Sequence, residues 1–247
     1  MRRILETTGL VFVLSMMGCQ AQECPKCEPA SAETICGQAQ ACGDNNSDAT
    51  VAAKGDKALV EAGGETIALP KRVALDVSLT KALEARKSVR AYEETMISIQ
   101  DLSNLLWSAN GINREDGKRT APSARNLQSV SIYVAFEKGA YLYDFKAHQL
   151  TRVTEADVRT IKEAPLELIF TSNFEAKSDS AEDREFAQLI RGIDAGTASE
   201  NAALYCATAG LGTVIRMYQQ ADPEKAAALK LTEKDHLLFH MAVGYGK

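Results

Sequence analysis

Arg86-Lys87-Ser88-Val89-Arg90 sets three cations and one hydroxyl within five residues and leaves only Val89 to pack against a core. Arginine offers a planar fork of donors that can grip two phosphate oxygens at once, and lysine adds a point charge, so these side chains can converge on a phosphate. The same residues would also suit a solvated face at the end of a helix. The choice between the two rests on the neighbourhood. Upstream, order is expected to begin at Thr66-Ile67-Ala68-Leu69-Pro70, and a helix starting near Leu79 runs into the basic segment.

Downstream, Ser98 and Asp101 have the spacing of a capping box and Ile97 can staple to Leu102. Leu102, Leu105, Leu106 and Ala109 share one face of the helix that follows, which Gly111 ends. Val130, Ile132, Val134 and Phe136 alternate with smaller or more polar residues, and Glu137-Lys138-Gly139 turns the chain into Ala140 to Phe145, a hairpin with one buried face. Leu166 to Phe170, Thr213 to Met217 and Leu237 to Val243 read as further strands, and two helices are expected over about Ala181 to Arg191 and Ala195 to Ala209. Helices mixed with largely antiparallel strands give an α+β domain, and no internal repeat is present.

Two further segments decide the chemistry: Ala121-Pro122-Ser123-Ala124-Arg125-Asn126-Leu127-Gln128, and Ala209-Gly210-Leu211-Gly212-Thr213-Val214. In this order, and with the basic segment ahead of them, they resemble the nitroreductase family of flavin enzymes. Ile67-Ala68-Leu69-Pro70, Leu105-Leu106-Trp107 with Gly111-Ile112, and Tyr141-Leu142-Tyr143-Asp144 with His148 and Leu150 are similar to its SagB-type branch. The resemblance spans Ile67 to Lys247. It implies a nitroreductase-like fold, with a central, mostly antiparallel sheet flanked by helices, in a homodimer that holds FMN.

On that resemblance Arg86, Lys87, Ser88 and Arg90 hold the FMN phosphate and the polar edge of the isoalloxazine. Pro122, Ser123 and Asn126 lie against the flavin of the partner subunit, the Ser123 hydroxyl and Asn126 amide meeting ring carbonyls and nitrogens; Gln128 belongs to the same pattern or pairs with backbone. Thr213, Ile215 and Arg216 follow the glycines of the helix-to-strand turn, and backbone just beyond them reaches N5 and O4 of the ring. Lys247 stands where many relatives continue to another basic residue at the phosphate. Relatives usually carry Pro-Trp after the glutamine, whereas Ser129-Val130 stands here. From the residues themselves, no Gly-x-Gly-x-x-Gly follows a strand, so a mononucleotide is favoured over a dinucleotide.

Charge and leader bound the setting. With a net charge of −5 and a pI near 5.4, nothing invites nucleic acid or an anionic membrane surface. Arg2 and Arg3 precede an apolar stretch, Leu10 to Met17, too short to span a bilayer. Residues 1–18 read as a signal peptide. Gly18-Cys19 resembles a lipobox, with an ordinary cleaved signal as the alternative, so the mature chain is expected outside the cytoplasm as a periplasmic or outer-surface lipoprotein anchored only through a lipidated Cys19. Residues 19–65, poor in large apolar side chains, read as a disordered tether before a domain at 66–247. Cys24, Cys27, Cys36 and Cys42 suit disulfides in an oxidising compartment, with metal or redox chemistry at Cys24-Pro25-Lys26-Cys27 as the rival. Cys206 is expected to be a buried apolar residue.

The three histidines, His148, His236 and His240, are spread over different elements and give no metal site, and no serine or cysteine has a convincing base. The flavin carries the chemistry: two-electron, ping-pong transfer to or from a conjugated small molecule such as a quinone or nitro compound. The alternatives are a non-catalytic flavin-binding lipoprotein and a SagB-like dehydrogenase acting on a peptide. The Lys-Tyr pair that azoline-oxidising members use is absent from Ser180 to Phe186. Outside the cytoplasm NAD(P)H is not maintained, which leaves the electron donor open.

Overall fold

The computed structural model describes residues 64–218 and 222–247. The signal peptide, the clustered cysteines and all but the end of the expected tether lie outside the described residues. Seven strands form one sheet: β1 (Thr66–Ala68), β2 (Val130–Phe136), β3 (Gly139–Asp144), β4 (Gln149–Thr154), β5 (Leu166–Ser172), β6 (Gly212–Met217) and β7 (His236–Gly244). Their order is β1-β4-β3-β2-β5-β7-β6, and every neighbouring pair is antiparallel. The helices are α1 (Leu79–Ala85), α2 (Ile99–Asn110), α3 (Ala181–Thr208) and α4 (Pro223–Ala228), with a 3-10 turn at Ala124–Asn126. This is the expected α+β architecture.

Local sequence accounts for the boundaries. The Ser98 hydroxyl accepts from the Asp101 amide at 2.9 Å and donates to its carboxylate at 2.6 Å, so one residue pair closes the head of α2. Gly111 closes the other end at φ −80°, not in the left-handed region. It must be glycine for space, since a Cβ there would stand 2.4 Å from the Trp107 ring. The β2–β3 hairpin pairs Phe136 with Gly139, whose φ of +132° suits glycine.

One face of the sheet meets α2 and α3, where Leu105, Leu106, Ala198, Ala202 and Cys206 pack with Ile132, Val134, Leu168 and Met241 in a single core. The other face is narrower, with Tyr133, Ala135 and Ile169 covered by Val158 and Leu229.

Two expectations need correction. The helices predicted on either side of residues 192–194 are one 28-residue helix, α3. Gly192 costs a helix interior roughly 1 kcal/mol relative to alanine, but complete burial of Ala195, Ala198, Ala202 and Cys206 outweighs it. The basic segment, expected to continue the first helix, is extended: α1 stops at Ala85, and Arg86 takes φ −60° and ψ 120°.

Candidate functional site

The edge strand β6 gathers the basic segment. Ser88 forms a parallel bridge with Thr213, and the Val89 amide donates to the Thr213 carbonyl at 2.9 Å. Val89 packs over Gly212, where an added Cβ would lie 2.7 Å from the valine side chain, so Gly212 is required for this close approach. The Tyr92 hydroxyl donates to the Val89 carbonyl at 2.6 Å, and burial pushes that phenol up to about 12. On the other side the Lys247 amide donates to the Ala91 carbonyl at 3.1 Å. A stretch with no helix or strand of its own is thus held by backbone on both sides.

Arg86, Lys87, Ser88 and Arg90 all remain exposed. Arg86 stands 3.8 Å from the half-exposed Glu200 carboxylate, an interaction that solvent weakens. Among the described residues, neither Lys87 nor Arg90 has an acid within ion-pair distance. Ile215 and Arg216, at the outer end of β6, are exposed beside them, whereas the buried Thr213 hydroxyl donates to the Ala242 carbonyl at 2.7 Å and is occupied. Lys247 is exposed and lines a cleft of about 590 Å³ with Tyr92, Glu94, Lys162 and Glu163.

The second segment is locked from behind. Asp194, in the middle of α3 and 4% exposed, accepts from the Ala124 amide with both oxygens at 3.1 Å and from the Ser123 hydroxyl at 3.2 Å. The same hydroxyl accepts from the Gln128 amide at 2.8 Å. Ser123 is therefore a structural bracket, and its hydroxyl has no donor to spare for a ring. Gln128 donates its side-chain amide to the Gly117 carbonyl at 3.1 Å and to Asn126 Oδ1 at 3.3 Å. Pro122 and Asn126 are exposed, and Arg125, Asn126 and Gln128 have φ of 54°, 57° and 51°. Three left-handed non-glycine residues in four positions store strain that the Asp194 bracket must overcome. Sequence reading passed over Asp194; the available signal was one acid among the small residues Gly192, Ala195 and Gly196.

Two further polar groups lie elsewhere, one half-buried and one buried. His148 joins Tyr143 at 2.9 Å through Nδ1 and Ser103 at 2.8 Å through Nε2. The Ser103 hydroxyl donates to the Pro70 carbonyl at 2.6 Å, so the imidazole donates to the serine and cannot take its proton. His240 Nδ1 lies 3.1 Å from Glu167 Oε2, close but not aligned as a hydrogen bond, with both side chains buried. Desolvation pushes the Glu167 carboxyl up; the His240 contact, the Ile161 amide and Lys225 together hold it below its ordinary value. No cluster of metal-ligating residues occurs among the described residues.

Residues 83–245 match the family model described as the nitroreductase family. A protein of Methanocaldococcus jannaschii named as a nitroreductase is 29% identical over 198 residues, 73% of this chain and 98% of that protein. A crystal structure described as a nitroreductase from Ralstonia eutropha superposes with a TM-score of 0.68 at 32% identity, covering 74% of this chain and 90% of that one. Another, from Anabaena variabilis, shares the fold at a TM-score of 0.61 and 18% identity, covering 74% of this chain and 42% of that one. The matched span opens just ahead of the basic segment and closes at the strand that pairs with β6, so the edge described above lies within it. The chain belongs to the nitroreductase family.

Proposed function

We propose that this protein is an FMN-dependent oxidoreductase of the SagB-type branch that exchanges two electrons with a conjugated small molecule such as a quinone or nitro compound. The observation that carries the reading is the extended basic segment along β6. Its backbone is pinned, while Arg86, Lys87, Ser88 and Arg90 are left exposed, as a phosphate-binding strip requires. The residues fit the cofactor in charge and in rigidity. FMN would supply the redox chemistry, and the chain supplies position: Arg86 and Arg90 to the phosphate, Lys87 and Ser88 to the polar edge, Arg216 alongside, and Pro122, Asn126 and the strained backbone between them to the ring. Lys247, whose backbone is held to Ala91 beside the segment, is a further basic candidate for the phosphate.

The family resemblance puts the loop of one subunit against the flavin of the other, and Phe186, Leu189 and Ile193, each about half exposed on α3, support such a homodimer. The N-terminal sequence supports export and lipidation at Cys19. The cofactor is tested by the absorption spectrum of the purified protein, which should be that of a flavin, and by fluorescence titration of apoprotein with FMN. Arg86→Ala and Arg90→Ala should each weaken binding by about 1.5 to 3 kcal/mol, or roughly one to two decades. A double variant that binds FMN like the wild type removes the phosphate role.

A further inference from the structure

A carboxylate taken out of water is ordinarily paired with a cation, because its desolvation is otherwise uncompensated. Asp194 is buried in the middle of α3, yet among the described residues no lysine, arginine or histidine stands within ion-pair distance of it. Its side chain is given over to one loop, accepting from the Ala124 amide with both oxygens and from the Ser123 hydroxyl with one. A buried acid with these partners alone serves the loop that it holds.

That loop needs holding. Its regular structure is a single 3-10 turn, and Arg125, Asn126 and Gln128 all take positive φ, which side chains larger than glycine's disfavour. With the Ala124 amide and the Ser123 hydroxyl drawn onto α3, Pro122 and Asn126 are left exposed. The far end of the loop is fixed from the same turn of the helix. Arg191, three residues ahead of Asp194, donates through Nε to the Phe174 carbonyl at 2.7 Å, and the neighbouring Asn173 amide donates to the Ser129 carbonyl at 3.1 Å. One helical turn thus fastens the loop directly at its start and, through residues 173–174, at its end. A backbone that its own residues disfavour is kept in place by this support.

We propose that Asp194 is a positioning residue for the flavin: by holding the Ser123 hydroxyl and the Ala124 amide, it keeps residues 122–128 in the left-handed form that presents Pro122 and Asn126 to the isoalloxazine. The proposal rests on the flavin reading. Asp194 acts through the loop, without touching the cofactor itself. Without it, residues 125–128 relax toward negative φ, and FMN must reorder the loop on binding, which lowers its affinity.

The test is fluorescence titration of the whole apoprotein with FMN, beside chemical denaturation of the same preparations. Asp194→Asn keeps the shape of the side chain but replaces one of its two acceptor oxygens by a donor, and should weaken FMN binding about tenfold. Asp194→Ala should weaken it at least as much. At saturating FMN, the visible-region circular dichroism of the bound flavin should differ from that of the wild type in both variants. Arg125→Gly added to Asp194→Asn relieves left-handed strain at one position, and should recover roughly threefold of the lost affinity and move the flavin spectrum back toward the wild type. If Asp194→Ala fails to fold, the Asp194→Asn pair decides. Unchanged affinity in Asp194→Asn, a loss no larger than its unfolded fraction explains, an unaltered flavin spectrum, or no recovery with glycine overturns the positioning role. A wild type that takes up no FMN sinks the flavin reading and this proposal with it, whereas a wild type and an Asp194→Asn variant that bind FMN equally sink the positioning role alone.

Discussion

His148 joins three parts of the chain that are distant in sequence: Pro70 and Ser103 on one nitrogen's side and Tyr143 on the other. Replacing it by alanine removes two hydrogen bonds and leaves the Tyr143 hydroxyl short of a partner, so His148→Ala should cost about 2 kcal/mol in chemical denaturation. Burial lowers its pKa from the ordinary 6.5. The neutral ring's contribution is therefore complete above about 6.5 and is lost as pH falls through the lower, folded value. Stability curves of wild type and His148→Ala should converge on acidification; parallel curves would show that the ring does not titrate in this way. Gly212→Ala belongs to the same scale, because its Cβ would collide with Val89 and must displace the basic segment. It should weaken FMN binding at least tenfold in fluorescence titration while far-ultraviolet circular dichroism stays unchanged. The residue types at these points were legible in the sequence, but their assignments were only partly so. Ser123 reads as a ligand from its motif, yet its hydroxyl is held by Asp194, 71 positions away. No local pattern announces a partner at that separation.

Among the elements, the helices α1 and α2 and the β2–β3 hairpin were readable because caps and alternation are local signals. The strands β1 and β4 were not. Gln149–Thr154 carries Gln, Thr and Arg with only Leu150 fully buried, and depends on its pairing with β3; β1 is three residues long and depends on its pairing with β4, Ile67 to Leu150. Tertiary contact, not propensity, makes them strands. The α3 helix was divided for the opposite reason, because Gly192 and Asp194 are poor helix formers that its packing overrides. That helix also carries Phe186, Leu189 and Ile193, spaced three and four apart and each about half exposed. Burying an apolar side chain of this size contributes about 1.5 to 3 kcal/mol, enough for a few of them to hold a twofold contact. Leu189→Lys with Ile193→Lys should therefore convert a dimer into a monomer in sedimentation velocity. A wild-type protein that is already monomeric, or a variant that remains dimeric, would reject this face as the contact.

For the whole molecule, Cys19→Ala should move the protein from the membrane to the soluble fraction and abolish metabolic palmitate labelling, with FMN affinity unaltered. An unlabelled wild type confined to the cytoplasm would overturn the export reading and restore NAD(P)H as a natural donor. The sheet order separates such an attachment from the basic segment. The described chain enters at β1, one margin of the seven-stranded sheet, and the basic segment lies along β6, the other. Six inter-strand steps at about 4.8 Å separate these margins by roughly 29 Å. A chain tethered through the residues ahead of β1 would therefore be attached at the margin opposite the basic segment, leaving that edge clear of the point of attachment.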